Sequence, residues 1–250
     1  MTIETKTDGA VFHIALNRPE KRNAIDGATT AAMRVALDEF EEDLSLRVAV
    51  LTGTGGTFCS GADLNAGPAG ERIRDEYGLA SFTNRPRKKP VIAAVEGRAF
   101  AGGFEIVLAS DIVVAAEDAT FAIPEVKRGV MAGTGIWRLP RSIPFATAAL
   151  IVLTGDPIDA RRAFELGLVS QLAPPGEALA VATSIAIAIA ANAPGSVRET
   201  LGLMRESLGL NDEDANLLAR QALSRLSKTA DFKEGPRAFV EHREPKWTGE

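Results

Sequence analysis

A chain of 250 residues with 46% hydrophobic side chains is long enough to bury one large core, with or without a small appendage, and too apolar for a disordered segment. Its formal net charge of −5 argues against a general nucleic-acid-binding surface, and its single cysteine, Cys59, excludes an internal disulfide and fits a reducing compartment. The N-terminus lacks a basic stretch followed by an apolar one, so no secretory signal is read. The longest apolar run, residues 178–193, is interrupted by Thr183, Ser184 and Asn192, and is too short and too weakly apolar to span a bilayer. The expectation is a cytoplasmic globular protein with no membrane segment.

In chain order, Asp8-Gly9 predicts a tight hairpin between a strand around Ile3 and a strand over Val11–Leu16. After the turn-rich residues 17–23, Asp26 is placed to N-cap a helix whose Met33, Leu37 and Phe40 recur at helical spacing. Val48-Ala49-Val50-Leu51 reads as a buried strand stopped by Gly53-Thr54-Gly55-Gly56. The same plan of apolar strand, Gly-rich turn and short helix occupies residues 48–64, 91–110 and, with a weaker turn, 112–130. This alternation predicts an α/β fold in which strands stack in successive turns of a coil. Residues 65–89 are polar, charged and irregular, and predict a mobile surface excursion beside whatever the neighbouring turn binds. From Gly176 helical patterns dominate, with stops at Pro194, near Gly209 and near Asp231. The chain therefore divides into a core over residues 1–192 and a helical region over residues 193–250. The stripe Leu217, Leu218, Ala222 and Leu226 in that region faces either another subunit or the chain's own core.

Two glutamates stand out within otherwise apolar, Gly-rich surroundings. Glu105 lies in Ala101-Gly102-Gly103-Phe104-Glu105, where glycines open a helix after the strand Val91-Ile92-Ala93-Ala94-Val95, and Glu125 lies in Phe121-Ala122-Ile123-Pro124-Glu125. Burying such groups is costly unless they are paired, hydrogen-bonded or functional. Their spacing of 125 − 105 = 20 residues fits one turn of the coil, so both can face one pocket. The plainer readings are a carboxylate near a helix dipole for Glu105 and a salt-bridge partner of Lys127 or Arg128 for Glu125. Cys59-Ser60-Gly61-Ala62-Asp63-Leu64 and Ala101-Gly102-Gly103 are small-residue turns whose free backbone N–H groups can point at a ligand oxygen, and two such donors converging on one oxygen make an oxyanion hole. Turn-making alone also accounts for those glycines. Cys59 has no basic neighbour to activate it, and His13 and His242 lack metal-ligand spacing, so no metal is expected.

Together the segments Asn17-Arg18-Pro19-Glu20-Lys21-Arg22-Asn23-Ala24, Phe58-Cys59-Ser60-Gly61-Ala62-Asp63-Leu64, residues 97–105 and Phe121-Ala122-Ile123-Pro124-Glu125 resemble the enoyl-CoA hydratase/isomerase superfamily, the crotonases. The likeness continues through Leu153-Thr154-Gly155, residues 163–169 and Glu234-Gly235-Pro236-Arg237-Ala238-Phe239, the last resembling actinobacterial members. It implies a crotonase (ClpP-like) spiral of repeated ββα units, a C-terminal helical trimerisation region, and homotrimers that pair into hexamers. It also implies an acyl-CoA ligand and no cofactor beyond the coenzyme A of the substrate. The backbone N–H groups of Ala62 and Gly102 map onto the oxyanion hole, and Glu105 and Glu125 onto the hydratase acid/base pair, which adds water across the C2–C3 double bond of a 2-enoyl-CoA. Lys21, Arg22, Ala24, Ser60, Gly61, Asp63 and Leu64 map around the coenzyme A, with Lys21 and Arg22 near phosphate; Arg237, Arg243 and Lys246 are weaker phosphate candidates across a subunit boundary. Trp137 is a candidate wall of the acyl pocket, or a core residue. Residues 130–137 replace a more Gly-rich stretch of well-known hydratases, leaving the acyl group open. Double-bond isomerisation on the same oxyanion hole is the alternative reaction. RNA binding through a Lys-rich helix, as in some relatives, is disfavoured because the corresponding helix contains Arg34 but no lysine and ends in Glu39, Glu41, Glu42 and Asp43.

Overall fold

The computed structural model describes residues 1–66 and 69–249. Its elements run β1 (Ile3–Asp8), β2 (Val11–Leu16), α1 (Gly27–Glu42), β3 (Val48–Gly53), β4 (Arg74–Asp75), β5 (Gly78–Leu79), β6 (Val91–Val95), β7 (Arg98–Phe100), α2 (Gly102–Ala109), β8 (Ile112–Ala116), β9 (Thr120–Ala122), α3 (Gly135–Ser142), α4 (Phe145–Thr154), β10 (Ile158–Asp159), α5 (Ala160–Glu165), β11 (Gln171–Ala173), α6 (Ala178–Ala190), α7 (Pro194–Glu206), α8 (Asp212–Leu226) and α9 (Ala230–Val240). The hairpin at Asp8-Gly9 forms, with Asp8 opposite Val11. Asp26 caps α1 by accepting from the Thr29 N–H, and Met33, Leu37 and Phe40 are its buried face.

The larger sheet has six strands in the order β1-β2-β3-β6-β8-β11 and is parallel from β2 onward. A smaller sheet, β10-β9-β7, runs beside it. Its plane is continued by lone parallel bridges between Cys59 and Ala99 and between Ile25 and Ala62. Each turn of the coil therefore lays one long strand in the large sheet (β3, β6, β8) and one short one in the small sheet (Cys59, β7, β9). This is the ββα repeat, with a second strand inserted where sequence alone predicts strand passing straight to helix. In the third turn the helix shrinks to a 3-10 segment, Glu125–Arg128.

One apolar layer fills the space between the sheets and α1 to α5; a second lies on the other face of the large sheet. There α6 presents Ala178, Ala182, Ala186 and Ala190, one per turn, against Val48, Val50, Ile92, Ala94 and Val114. Alanine allows the helix axis to approach the sheet closely. Among the described residues no single helix is long and apolar enough to cross a membrane, and α6 and α7 meet at a 110° bend. Pro194 begins α7, as its missing N–H permits.

Residues 65–89 depart from the expected surface excursion. Gly67 and Pro68 lie outside the described residues, but Leu79, Ala80, Ser81, Phe82 and Thr83 are enclosed and the β4–β5 hairpin precedes them. Leu79 and Phe82 pull this stretch onto the core, and a single apolar pair among polar and charged neighbours is too short a pattern to announce it.

Candidate active site

The two small-residue turns expected to supply oxyanion donors come from adjacent levels of the coil. In the first, Ile25 N–H donates to the Gly61 carbonyl at 2.8 Å and Asp63 N–H donates to the Ile25 carbonyl at 2.8 Å. Both bonds of this bridge belong to Ala62's neighbours, so the Ala62 N–H points to the opposite side. In the second, Ala101 N–H donates to the Ala122 carbonyl, and Ala101 adopts φ 51°, ψ −125°, a conformation costly for a residue with a Cβ. That turn presents Gly102 as the first residue of α2, where backbone N–H groups have no partner within the helix. The two turns touch: a methyl group at Gly102 would lie 3.6 Å from the Ala62 nitrogen, and one at Gly61 would lie 3.0 Å from the Gly102 nitrogen. The two amides predicted to act together are thus neighbours across the coil.

Glu105, in the first turn of α2, is wholly enclosed (0% exposed). Its Oε1 accepts from the Thr134 N–H at 2.6 Å and the Gly135 N–H at 3.0 Å, and its Oε2 accepts from Arg74 Nη2 at 3.3 Å. Glu125 opens the 3-10 segment one turn of the coil later. Its Oε2 is shielded from solvent and has no hydrogen-bond partner among the described residues. Burial pushes its carboxyl above the usual range; its own backbone N–H opposes this, the Glu105 charge adds to it and the Arg74 charge opposes it. Lys127 pairs instead with Asp156 at 2.5 Å. Gly135 lies between the two carboxylate-bearing segments, since a methyl group there would contact Ile123 Cδ1 at 3.0 Å and Glu105 Cγ at 3.4 Å.

The residues expected around coenzyme A lie side by side. Ser60 N–H donates to the Arg22 carbonyl at 3.0 Å and its hydroxyl donates to the Lys21 carbonyl at 3.4 Å, while Arg22 and Asn23 take positive φ of 51° and 56°. Asn23 is buried and fastens this loop by donating to the Thr54 and Thr57 carbonyls. Lys21 and Arg22 are exposed and form no ion pair among the described residues; Leu64 is exposed and Ala24 buried beside them. Asp63 faces its own loop. Its carboxyl is held below the usual range by the Asn65 N–H and by Arg18, which stands 3.2 Å away and also pairs with Asp26 at 3.1 Å. Trp137 is 38% exposed on α3, with the Arg138 and Arg141 guanidinium groups 4.4 and 4.9 Å from its ring centre. Arg237 and Arg243 are occupied by Glu234 and Glu241. Cys59 is buried and its thiol is pushed up to about 12 by desolvation, which agrees with its reading as an inert small residue.

Arg74, Thr134 and Gly135 are the groups at the site that sequence reasoning misses. Two of them act through backbone N–H groups, which every residue but proline carries. Arg74 lies in the irregular stretch, where one arginine among many charges gives no signal.

The coil thus brings the Ala62 and Gly102 turns into contact and sets Glu105 and Glu125 on successive turns, within an α/β spiral of repeated ββα units. A model of the enoyl-CoA hydratase/isomerase family matches residues 6–250, and the chain belongs to that family. It is 42% identical to the mevalonyl-coenzyme A hydratase sidH of Aspergillus fumigatus over 249 residues, covering 95% of this chain and 91% of that protein. It is 40% identical to the enoyl-CoA hydratase EchA19 of Mycobacterium tuberculosis, covering 95% and 92%. The crystal structure of an enoyl-CoA hydratase from Mycobacterium tuberculosis H37Rv superposes with a TM-score of 0.97 at 45% identity, covering 100% of this chain and 99% of that one. The expected family, fold and enzyme class are thereby met.

Proposed function

We propose that the chain hydrates 2-enoyl-CoA thioesters to 3-hydroxyacyl-CoA, with Glu105 as base and Glu125 as acid. The observation that carries this is the contrast between the two carboxyl groups. Glu105 accepts from three N–H donors, whereas Glu125 keeps an enclosed oxygen with no partner among the described residues and has its carboxyl raised by burial. In the proposed step Glu105 takes a proton from water while the water oxygen bonds to C3, and Glu125 delivers its proton to C2. The negative charge that develops on the thioester oxygen is held by the Ala62 and Gly102 N–H groups, each worth on the order of 10²–10³ in rate. A proton returns from Glu105 to Glu125 before the next turnover.

The same reading takes Lys21 and Arg22 as the phosphate partners of coenzyme A, with Ala24, Ser60, Gly61, Asp63 and Leu64 forming the surrounding loop, and Trp137 as an acyl-pocket wall. It needs no metal or redox cofactor. It also includes a division into residues 1–192 and 193–250, assembly as a homotrimer or hexamer, and a cytoplasmic location. The exposed Leu208, Phe232, Phe239 and Val240 around the C-terminal helices support the assembly. The test is the loss of conjugated-thioester absorbance with 2-enoyl-CoA substrates. Glu105→Gln and Glu125→Gln are each expected to lower kcat by roughly 10²–10⁴, and a folded wild type that moves the double bond without adding water would make the chain an isomerase.

A further inference from the structure

Arg74 stands beside Glu105 with most of its donors unused among the described residues. It opens the β4–β5 hairpin, whose far side is fastened to α1: Arg34 pairs with Asp75 at 3.7 Å and with Glu76 at 2.8 Å, and lies 5.4 Å over the Tyr77 ring. From this fixed backbone the guanidinium reaches across to Glu105. Among the described residues that carboxylate is its one hydrogen-bond acceptor. The flank of the guanidinium rests on Gly133, where a methyl group would meet Nη1 at 2.6 Å and Cζ at 3.0 Å. Arg74 is 43% exposed at its side chain while Glu105 is wholly enclosed, so the cation is the solvent-facing partner of the pair.

That placement bears on the acyl group. If C3 is delivered to the water held by Glu105, as the proposed hydration requires, an acyl chain that leaves C3 on the solvent-facing side of Glu105 runs past Arg74. A saturated hydrocarbon tail there would strip water from the remaining N–H groups and return nothing, whereas a carboxylate matches their planar fork. We propose that Arg74 is a specificity-determining residue that selects 2-enoyl-CoA substrates whose acyl chain ends, beyond C3, in a carboxylate. The guanidinium then lies between two anions, Glu105 and the substrate carboxylate, and keeps their repulsion from opposing binding.

The experiment compares matched ligands that differ only in a terminal carboxylate or methyl group. Binding of adipoyl-CoA and hexanoyl-CoA, both saturated and unreactive, is measured by calorimetry; turnover is measured with trans-2-hexenedioyl-CoA and trans-2-hexenoyl-CoA. The wild type is expected to favour the diacid by about tenfold or more in Kd and in kcat/KM. Arg74→Met should bring both ratios to one or below, with Arg74→Lys and Arg74→Gln between, and thermal melting verifies that each variant is folded. A wild type that binds hexanoyl-CoA as well as adipoyl-CoA overturns the inference. So does an Arg74→Met variant that loses turnover on both substrates at an unchanged ratio, because Arg74 would then only hold Glu105. A wild type that discriminates the saturated pair yet hydrates neither enoyl thioester would sink the hydratase reading and leave the selection standing.

Discussion

Glu125 is the residue whose surroundings set a measurable pH dependence. Burial raises its carboxyl above the ordinary 4.5, so folding favours the neutral form. A raised value in the fold contributes stability that is complete below 4.5 and disappears as pH rises through the folded value. Glu125→Gln is therefore expected to melt higher than the wild type near neutral pH, with the advantage shrinking as pH falls towards 4.5 in scanning calorimetry. Because the proposed proton donor is the neutral Glu125, kcat should decline on the alkaline side. The Arg74 charge lowers the Glu125 value, so Arg74→Met should move that limb to higher pH, and a limb that stays in place would belong to another group. At this scale the enclosure of Glu105 and the two Gly-rich turns were legible in the sequence, because carboxylates and glycines in apolar runs are conspicuous. The partners that make the two glutamates unequal were not. Thr134 and Gly135 contribute amides, and Arg74 approaches through tertiary packing alone.

The element that positions the site is the junction between the short strands and α2. Gly102 and Gly103 are adjacent, yet they fill different roles. A methyl group at Gly103 would lie 2.3 Å from the Cys59 carbonyl oxygen, a backbone atom fixed by the small sheet. One at Gly102 would meet Leu79 Cδ2 at 2.2 Å, the end of a side chain that can turn aside. Gly103→Ala should therefore cost stability, about 1–3 kcal/mol from overpacking. Gly102→Ala should fold with a smaller loss while placing a methyl group before the Ala62 N–H, so kcat falls more than the melting temperature suggests. Measuring melts and kcat on both variants separates the two roles. The long strands and the hairpin were readable because β-branched runs and Asp8-Gly9 announce themselves. β7 and β9 were not, since three residues are too few for a period and each strand exists through its neighbour.

For the whole molecule, the C-terminal helices are joined to the coil by few but strong ties. Arg205 of α7 holds Asp111, with Nε at 3.1 Å and Nη2 at 2.5 Å, just before β8, and Trp247 Nε1 donates to the Ala191 carbonyl at the end of α6 at 2.8 Å. Of the stripe singled out in the sequence, Ala222 is buried while Leu217 stays exposed, so the chain's own core covers only part of it. Sedimentation of the intact chain is expected to give a trimer or a multiple of it; a monomer would leave that apolar surface without its proposed cover. Cys59, finally, sits where both oxyanion turns join, fully enclosed, with its thiol pushed up to about 12. Such a sulfur stays protonated and out of reach for as long as the joint is closed. A thiol-specific label can therefore enter only when the joint between the two turns comes apart, and because this is the sole cysteine in the chain, the pace of labelling under excess label reads that opening alone.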